Sequence, residues 1–184
     1  MTRVALVRHG RTPWNAARRI QGTTDIPLDD TGRAQAHEAA AALAALGDWS
    51  CVVSSPLLRA RETATIIAAR LGIPLLEPVA GLTERDCGEA EGLPVDEAAL
   101  RWPARDYAGG EPLQEVGRRV AEALSALADA GTGAIAVGHG IALRTGVATL
   151  TGTPAQRLAN AEIIVLEREQ GSWLRADALS AVRD

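Results

Sequence analysis

Two segments far apart in the chain share one pattern, an apolar run that ends in histidine and glycine. They are residues 4–10 and 134–140, and their histidines are His9 and His139. Apolar runs of this length, closed by glycine, are typical of buried strands. In open α/β sheets ligands bind at the carboxyl ends of parallel strands. The repeated pattern therefore predicts two parallel strands that place both histidines at the same edge of a sheet.

The first of these strand ends carries the groups that an anion site needs. The guanidinium group of Arg8 can fork onto phosphate oxygens, and the neutral imidazole of His9 can attack phosphorus. Thr12 and Asn15 follow and add uncharged donors. The alternative is a strand-end histidine that only bonds a backbone carbonyl, and the Arg8–His9 pair taken alone does not exclude it.

Length and charge limit the number of domains and the class of partner. The 184 residues predict a single domain over 1–184 with one core, and the net charge of −4 argues against a general nucleic-acid binder. The first 20 positions nevertheless form a local positive field that suits a small anionic substrate. They contain no acidic residue and five arginines, namely Arg3, Arg8, Arg11, Arg18 and Arg19. We expect Arg19 to lie on a solvated helix face, and the sequence leaves the role of Arg18 open.

Cysteine usage and hydropathy bear on the cellular compartment. Cys51 and Cys87 do not have the spacing of a zinc site or of a disulfide framework. No signal peptide precedes the first strand, and no apolar run is long enough to span a bilayer. These features predict a cytoplasmic protein with reduced thiols and no membrane partner.

Strand and helix patterns alternate between and around the two histidine segments. Capping residues at Asp29 and Asp30 open a helix that ends near Leu46, and His37 is expected on its surface. Further strands are predicted over 51–54, 74–79, 162–167 and 172–179, and further helices over 56–71, 112–130 and 141–150. This alternation predicts an α/β fold, a three-layer α/β/α sandwich with a mostly parallel central sheet.

The region between the predicted strand at 74–79 and the predicted helix at 112–130 has weak periodicity and several glycines and prolines. We interpret it as a lid-like insertion, about 85–112, over the site. Trp102 and Tyr107 in this insertion can line a substrate pocket or fill the core of the lid, and the sequence does not decide between these two roles.

One helix start and one loop supply further candidates for a phosphate site. Ser55 and Pro56 are predicted to open the helix 56–71 as its cap and first residue. Arg59 then lies near a helix N-terminus, whose unpaired amides and positive dipole favour anions. Pairing of Arg59 with Glu62 or Glu84 is the alternative.

The loop 82–92 carries three carboxylates that could act as a general acid and base, and they are Glu84, Glu89 and Glu91. Their spacing alone does not rank them, and a merely solvated acidic loop is the alternative.

Four motifs, in this order, resemble those of the histidine phosphatase superfamily, also called phosphoglycerate mutase-like. They are Arg-His-Gly-x-Thr at 8–12, Ser-Ser-Pro-Leu-Leu-Arg at 54–59, Leu-x-Glu followed by Gly and Glu-Gly at 82–92, and Gly-His-Gly at 138–140. The resemblance covers nearly the whole chain and implies the same three-layer fold.

The resemblance also implies a role for each motif residue. His9 is implied to be the nucleophile that forms a phosphohistidine, and Arg8, Arg59 and His139 are implied to surround the phosphoryl oxygens. Glu84 takes the place of the carboxylate that protonates the leaving alkoxide and then deprotonates water. Charge stabilisation of this kind is the main demand of phosphoryl transfer. The resemblance implies no metal and no other cofactor.

Substrate-binding positions are implied in the same way. Asn15, Gln21 and Gly22 match positions that contact substrate in the family, and Gly140 lets the backbone approach it closely. The chain departs from the family at Arg11, where Glu or Gln is usual. This extra charge could bind a second anionic group on the substrate or point into solvent.

Phosphatase and mutase share every one of these residues. Only 55 positions separate Glu84 from His139, and the phosphoglycerate mutases of this superfamily look longer there. The shorter segment favours a phosphatase acting on a small phosphorylated metabolite, with a cofactor-dependent phosphoglycerate mutase as the alternative. A second alternative is a non-catalytic protein that binds phosphate ligands.

The expected partner is a small phosphate ester, and the expected assembly is a monomer or homodimer. A dinucleotide site is disfavoured because Gly131 and Gly133 precede their strand rather than follow it. A metallohydrolase is disfavoured because the histidines lack metal-ligand spacing.

Overall fold

The computed structural model describes residues 2–131 and 133–179, so residues 1, 132 and 180–184 of the predicted domain lie outside this description. The strands are β1 (Thr2–Arg8), β2 (Cys51–Ser54), β3 (Ala134–Gly138), β4 (Ile163–Glu169) and β5 (Ser172–Leu179). The helices are α1 (Pro13–Ala16), α2 (Asp30–Leu46), α3 (Leu58–Leu71), α4 (Val95–Arg101), α5 (Leu113–Asp129) and α6 (Gly140–Thr151). Short 3₁₀ turns lie at Ala80–Leu82 and Gly88–Ala90.

The described strands form one sheet in the order β2-β3-β1-β4-β5. β1 and β2 each pair in parallel with β3, whereas β4 is antiparallel to β1 and β5 is antiparallel to β4. β4 and β5 form a hairpin, and the two residues that connect them are Gln170 (φ 49°) and Gly171 (φ 82°). Positive φ at both positions is what a tight type I′ turn requires. The mostly parallel sheet is therefore confirmed at its centre, with an antiparallel hairpin at one edge.

Helices cover both faces of this sheet, which confirms the three-layer sandwich. Alternate strand residues point to opposite faces, so Val7 packs with α2 and α3 while Leu6 packs with α5 and α6. The apolar face of α5 includes Val116, Val120 and Leu124, all fully buried. Burying each such side chain contributes about 1.5–3 kcal/mol. The two cores hold the central strands rigidly, and the carboxyl ends of those strands carry the candidate site.

The insertion has a small apolar cluster of its own. Cys87, Ala90, Ala98 and Tyr107 are buried together, and Trp102 stacks edge-on against Tyr107 with centroids 5.8 Å apart. The backbone of Ile20 exchanges hydrogen bonds with residues 92 and 93, at 2.8 and 3.0 Å. These bonds fix the insertion against the loop that follows α1.

Two predicted features of the chain are wrong. Residues 74–79 form no strand; they run beside β2 and make one isolated bridge, between Val52 and Leu75, because Pro74 and Pro78 have no N–H to donate.

The cap at Ser55 and Pro56 is also wrong. α3 begins only at Leu58, after an N-cap Leu57 that has no side-chain bond. The hydroxyl of Ser55 instead accepts the Leu57 N–H at 3.2 Å and lies 2.8 Å from His139, so this side chain points toward the strand ends. The predicted helix from Asp29 to Leu46 is confirmed within a residue, and His37 is exposed on it.

Candidate active site

The carboxyl ends of β1 and β3 bring His9 and His139 together. Arg8 lies opposite Gly138 in the parallel register, so the two histidines that follow are neighbours. Their ring centroids are 5.1 Å apart with the ring planes at 57°, and both side chains are buried. The sheet edge thus holds a pair of imidazoles.

One contact fixes the tautomer of His9. Its Nδ1 lies 2.7 Å from the carbonyl oxygen of Gly10. Because a carbonyl only accepts, Nδ1 carries the proton and Nε2 carries the lone pair. Burial, and then the charges of Arg59 and Arg8, lower the pKa of His9 well below its ordinary 6.5. His9 is therefore neutral at pH 7 and has a nucleophilic nitrogen.

His139 sits at the N-cap of α6 and is held by a third strand end. Its Nε2 lies 2.8 Å from Oγ of Ser55, the residue directly after β2. Its Nδ1 is buried and has no hydrogen-bond partner among the described residues. Burial, followed by the charge of Arg59, lowers the pKa of His139 well below 6.5.

Backbone carbonyls, rather than carboxylates, hold the two arginines of the site. Nη1 of Arg8 donates to Leu158 at 2.7 Å, and Arg59 donates to the carbonyls of Thr24 and Gly22 at 2.8 and 2.7 Å. Both Nε atoms are buried and have no acceptor among the described residues. Burial lowers the pKa of Arg8 to about 10 and lowers that of Arg59 as well. Both guanidinium groups therefore have a buried donor that is left without an acceptor in the part of the chain that the structure describes.

The loop that binds Arg59 is organised by Glu91. Its carboxylate accepts hydrogen bonds from the backbone N–H and the hydroxyl of both Thr23 and Thr24, and from the N–H of Cys87 at 3.1 Å. Burial raises the pKa of Glu91, but these hydrogen bonds together lower it below its ordinary 4.5. Glu91 therefore links the insertion to the carbonyls that position Arg59.

Glu84 reaches the site through the N-terminus of α6. Its Oε1 accepts the Ala142 N–H at 2.9 Å and its Oε2 accepts the Ile141 N–H at 3.2 Å. These are two of the amides that a helix N-terminus leaves unpaired. Arg119 donates to the carbonyl of Glu84 at 3.1 Å while it is paired with Glu111 at 2.7 Å. Both the side chain and the backbone of Glu84 are thus held in place, the first by amides of α6 and the second by Arg119.

Arg8, His9, Arg59 and Glu84 line a cavity of about 260 Å³, close to the lower end of the range for small-molecule sites. The fully buried His139 packs against His9 but is not among the residues that line this cavity. The predicted substrate-binding residues also line it, and they are Arg8, Asn15, Gln21, Gly22, Arg59 and Gly140. The N–H of Thr12 donates to the side-chain oxygen of Asn15 at 3.2 Å, and its hydroxyl donates to that of Gln21 at 2.9 Å. Their amide NH₂ groups are left to donate elsewhere. A Cβ on Gly140 would lie 3.3 Å from Nε of Arg8, so glycine keeps this wall close to the arginine.

The insertion forms one wall of the cavity. Val95 and Ala99 of α4, together with Tyr107 and Arg105, line it. Tyr107 is only 8% exposed and also belongs to the core of the insertion. It therefore has both of the roles that the sequence left open, whereas Trp102 only packs against it.

Some candidate residues lie elsewhere. Arg11 pairs with Asp29 at 2.8 Å and does not line the cavity, so it neither faces the cavity nor points freely into solvent. Glu89 is exposed and away from the cavity, which leaves Glu84 as the carboxylate of that loop in the site. Arg19, expected on a solvated face, is exposed but lines the cavity mouth, while Arg18 pairs with Asp96.

Sequence reasoning missed several residues of the site. Ser55 could have been found, because it directly follows the predicted strand 51–54, and the carboxyl ends of parallel strands are where ligands bind. Arg105, Arg144 and Arg157 also line the cavity, but no motif marks them. Among the described residues, no cluster of three or more His, Cys, Asp or Glu side chains is arranged to hold a metal ion. Nor does any described helix have the length and apolar character needed to cross a bilayer.

The chain, with its paired imidazoles at the carboxyl ends of two parallel strands, belongs to the histidine phosphatase superfamily. The family model "Histidine phosphatase superfamily (branch 1)" matches residues 4–177.

Individual relatives carry both phosphatase and mutase names. The chain is 37% identical over 179 residues to "Uncharacterized phosphatase PhoE" of Bacillus subtilis (strain 168), covering 94% of this chain and 92% of that protein. It is 36% identical over 192 residues to "Probable phosphoglycerate mutase GpmB" of Yersinia pestis (strain Pestoides F), covering 95% and 88%. A phosphoserine phosphatase from Entamoeba histolytica, solved with phosphoserine, superposes with a TM-score of 0.84 at 26% identity, and 98% of each chain is covered.

Proposed function

We propose that this protein is a phosphomonoesterase that hydrolyses a small phosphorylated metabolite through a phosphohistidine at His9. The observation that carries the proposal is a group of buried nitrogen atoms beside His9 that have no hydrogen-bond partner among the described residues, namely Nε of Arg8, Nε of Arg59 and Nδ1 of His139. Buried polar atoms are normally satisfied. Their convergence beside a neutral imidazole fits a site that is completed by an anion.

The first step transfers the phosphoryl group to the protein. The lone pair on Nε2 of His9 forms a bond to phosphorus while the bond from phosphorus to the ester oxygen breaks. The Glu84 carboxyl group gives its proton to the departing alkoxide. Arg8, Arg59 and His139 stabilise the charge on the transferred oxygens, the largest demand of this reaction.

The second step returns the protein to its starting state. Glu84, now a carboxylate, takes a proton from water as the water oxygen bonds to phosphorus. The bond from phosphorus to Nε2 breaks, and the electron pair returns to the imidazole. Phosphate leaves, so one ester and one water give one alcohol and one phosphate. No metal takes part in this proposal, because the arginines supply the positive charge.

A labelling experiment tests the covalent step. Brief incubation with radiolabelled phenyl phosphate is expected to leave an acid-labile, alkali-stable label, the behaviour of a phosphoramidate. His9→Gln is expected to lose the label and to slow phosphate release by at least about 10³-fold. His37→Gln is the matched control because His37 is exposed on α2, and it should behave as the parent protein does. Alkali-labile label, or label retained in His9→Gln, would refute the proposal.

The mutase remains the second candidate because several relatives of 36% identity are named as such. Incubation with 3-phosphoglycerate separates the two functions, since a phosphatase releases free phosphate and a mutase yields the 2-phospho isomer. The assay is run with and without EDTA. A rate that chelation lowers would contradict the metal-independent reaction. Binding of the ester without turnover or label would favour a non-catalytic binding protein.

A further inference from the structure

The cavity carries far more positive charge than one phosphoryl group requires. Six arginines line it, namely Arg8, Arg19, Arg59, Arg105, Arg144 and Arg157, and Glu84 is the one carboxylate among its described lining residues. A phosphoryl group brings about two negative charges. Since the whole chain has a net charge of −4, this excess is local and belongs to the cavity.

Three of these arginines are not engaged through their guanidinium groups by the described residues. Within the part of the chain that the structure describes, no ion pair or side-chain hydrogen bond engages the guanidinium groups of Arg105, Arg144 and Arg157. By contrast, Arg19 donates to the carbonyl of Gly92. The charge of Arg157 also acts on Arg8 and lowers its pKa, although burial is the largest cause. The three guanidinium groups therefore line the cavity without a counter-ion among the described residues.

The fold directs Arg144 toward the cavity. It lies one turn after Gly140 and Ile141 on α6, so these residues share a helix face, and all of them line the cavity. Side chains on a helix tilt toward its N-terminus, which is the end that carries His139. Arg144 is half-buried, so its charge is less screened than that of a fully exposed side chain.

The insertion holds Arg105 in an uncommon conformation. Its φ is 57°, in the left-handed region that a residue with a Cβ seldom adopts. Two contacts maintain it: Arg85 donates to its carbonyl at 2.8 Å, and its own N–H donates to Trp102 at 2.8 Å. Such backbone conformations persist where the surroundings enforce them, and they cluster at ligand sites.

We propose that Arg105, Arg144 and Arg157 form a second anion subsite, and that the substrate is a phosphate ester bearing another carboxylate or phosphoryl group. This inference rests on the proposed phosphatase activity of the same cavity. Arg11, which the sequence singled out for such a role, pairs with Asp29 and does not line the cavity, so the role is assigned to arginines that do. A general positive potential that attracts every phosphate ester is the competing explanation.

Matched pairs of esters separate the two explanations. Glycerol 3-phosphate and 3-phosphoglycerate differ by a carboxylate, and glucose 6-phosphate and glucose 1,6-bisphosphate differ by a second phosphoryl group. We expect kcat/KM to favour the second member of at least one pair by about tenfold, the effect of one charge-assisted hydrogen bond. The pair that shows the preference identifies the anion. The ratio should fall as ionic strength rises.

Three single variants locate the subsite, namely Arg105→Gln, Arg144→Gln and Arg157→Gln. Each is expected to lower the ratio of the pair by about threefold to tenfold. Arg70→Gln is the control, because Arg70 is exposed in the last turn of α3, about 16 Å along that helix from Arg59. It removes the same charge and should leave the ratio unchanged.

The failure of this inference can be told from the failure of the phosphatase proposal. Ratios near one for both pairs, or variants that slow both members of a pair equally, overturn the subsite and favour general attraction. If no ester releases phosphate, the phosphatase proposal fails. The same ratios are then measured as dissociation constants by calorimetry, and a preference below about twofold overturns the subsite there as well.

Discussion

The carboxylate of Glu91 offers the sharpest test of whether the insertion positions Arg59 in the proposed phosphate site. It accepts hydrogen bonds from Thr23, Thr24 and Cys87, and the carbonyl of Thr24 in turn accepts from Arg59. Glu91→Gln keeps the shape of the side chain but replaces one oxygen with an NH₂ group. That group can donate to the Thr24 hydroxyl, but it cannot accept the Thr24 N–H.

The magnitude follows from the donors that are left. In the more favourable of its two orientations, the side-chain amide introduced by Glu91→Gln leaves one backbone N–H, that of Thr24, without an acceptor. An unsatisfied buried donor costs about 1–3 kcal/mol. Because Glu91 is only half-buried, water relieves part of this cost, and we expect the free energy of unfolding to fall by about 1–2 kcal/mol. Displacement of the Thr24 carbonyl misaligns Arg59, so kcat/KM for ester hydrolysis should fall about tenfold or more.

Two measurements on the same samples check both parts. Urea unfolding gives the change in the free energy of unfolding, and steady-state phosphate release gives kcat/KM. Glu89→Gln is the matched control, because Glu89 is an exposed carboxylate two residues away. A Glu91→Gln variant that is destabilised but hydrolyses esters as fast as Glu89→Gln would show that the loop does not position Arg59. Unchanged stability would show that the hydrogen bonds of Glu91 contribute little.

Three further predictions concern packing and pH. Gly10→Ala places a Cβ 2.3 Å from the Gly32 carbonyl oxygen, and urea unfolding should show that the free energy of unfolding falls by about 3 kcal/mol or more. In the control Gly133→Ala the new Cβ has more room, and the free energy of unfolding should fall by less than about 1 kcal/mol. Gly140→Ala should displace Arg8 and lower kcat/KM for phosphate release by about tenfold, with the free energy of unfolding changed by less than about 1 kcal/mol. Burial lowers the pKa values of His9 and His139 in the folded protein, so just below pH 6.5 only the unfolded chain takes up protons on these two side chains. The free energy of unfolding should therefore fall as the pH drops below 6.5. It should fall less steeply in a His9→Gln, His139→Gln double variant, which lacks both groups.

The meeting of His9 and His139 could be predicted because it depends on strand direction alone. Each histidine follows a buried apolar run, and the parallel register of β1 and β3 makes the next residues neighbours. The choice of Glu84 over Glu89 and Glu91 could not be made from spacing. It depends on where α6 begins, since the amides of that helix hold the Glu84 carboxylate.

Other parts of the site depend on contacts between segments that have no local signature. The partners of Arg59 are two carbonyls about 35 positions earlier in the chain, and nothing in the sequence of α3 indicates them. The residues 74–79 have the apolar character of a strand, but two prolines limit their pairing. Arg144 and Arg157 resemble ordinary surface arginines until the fold places them around one cavity.

The segment 74–79 has a consequence for how the molecule behaves in a crowded solution. β2 is the outermost strand on its side of the sheet, and an uncovered outer strand invites hydrogen bonding with another chain. Residues 74–79 occupy the open groups of β2 through Val52 and Ser54. Pro74 and Pro78 have no N–H, which makes this segment a poor template for a further strand. The proline pair thus protects this flank of the sheet against strand-by-strand self-association.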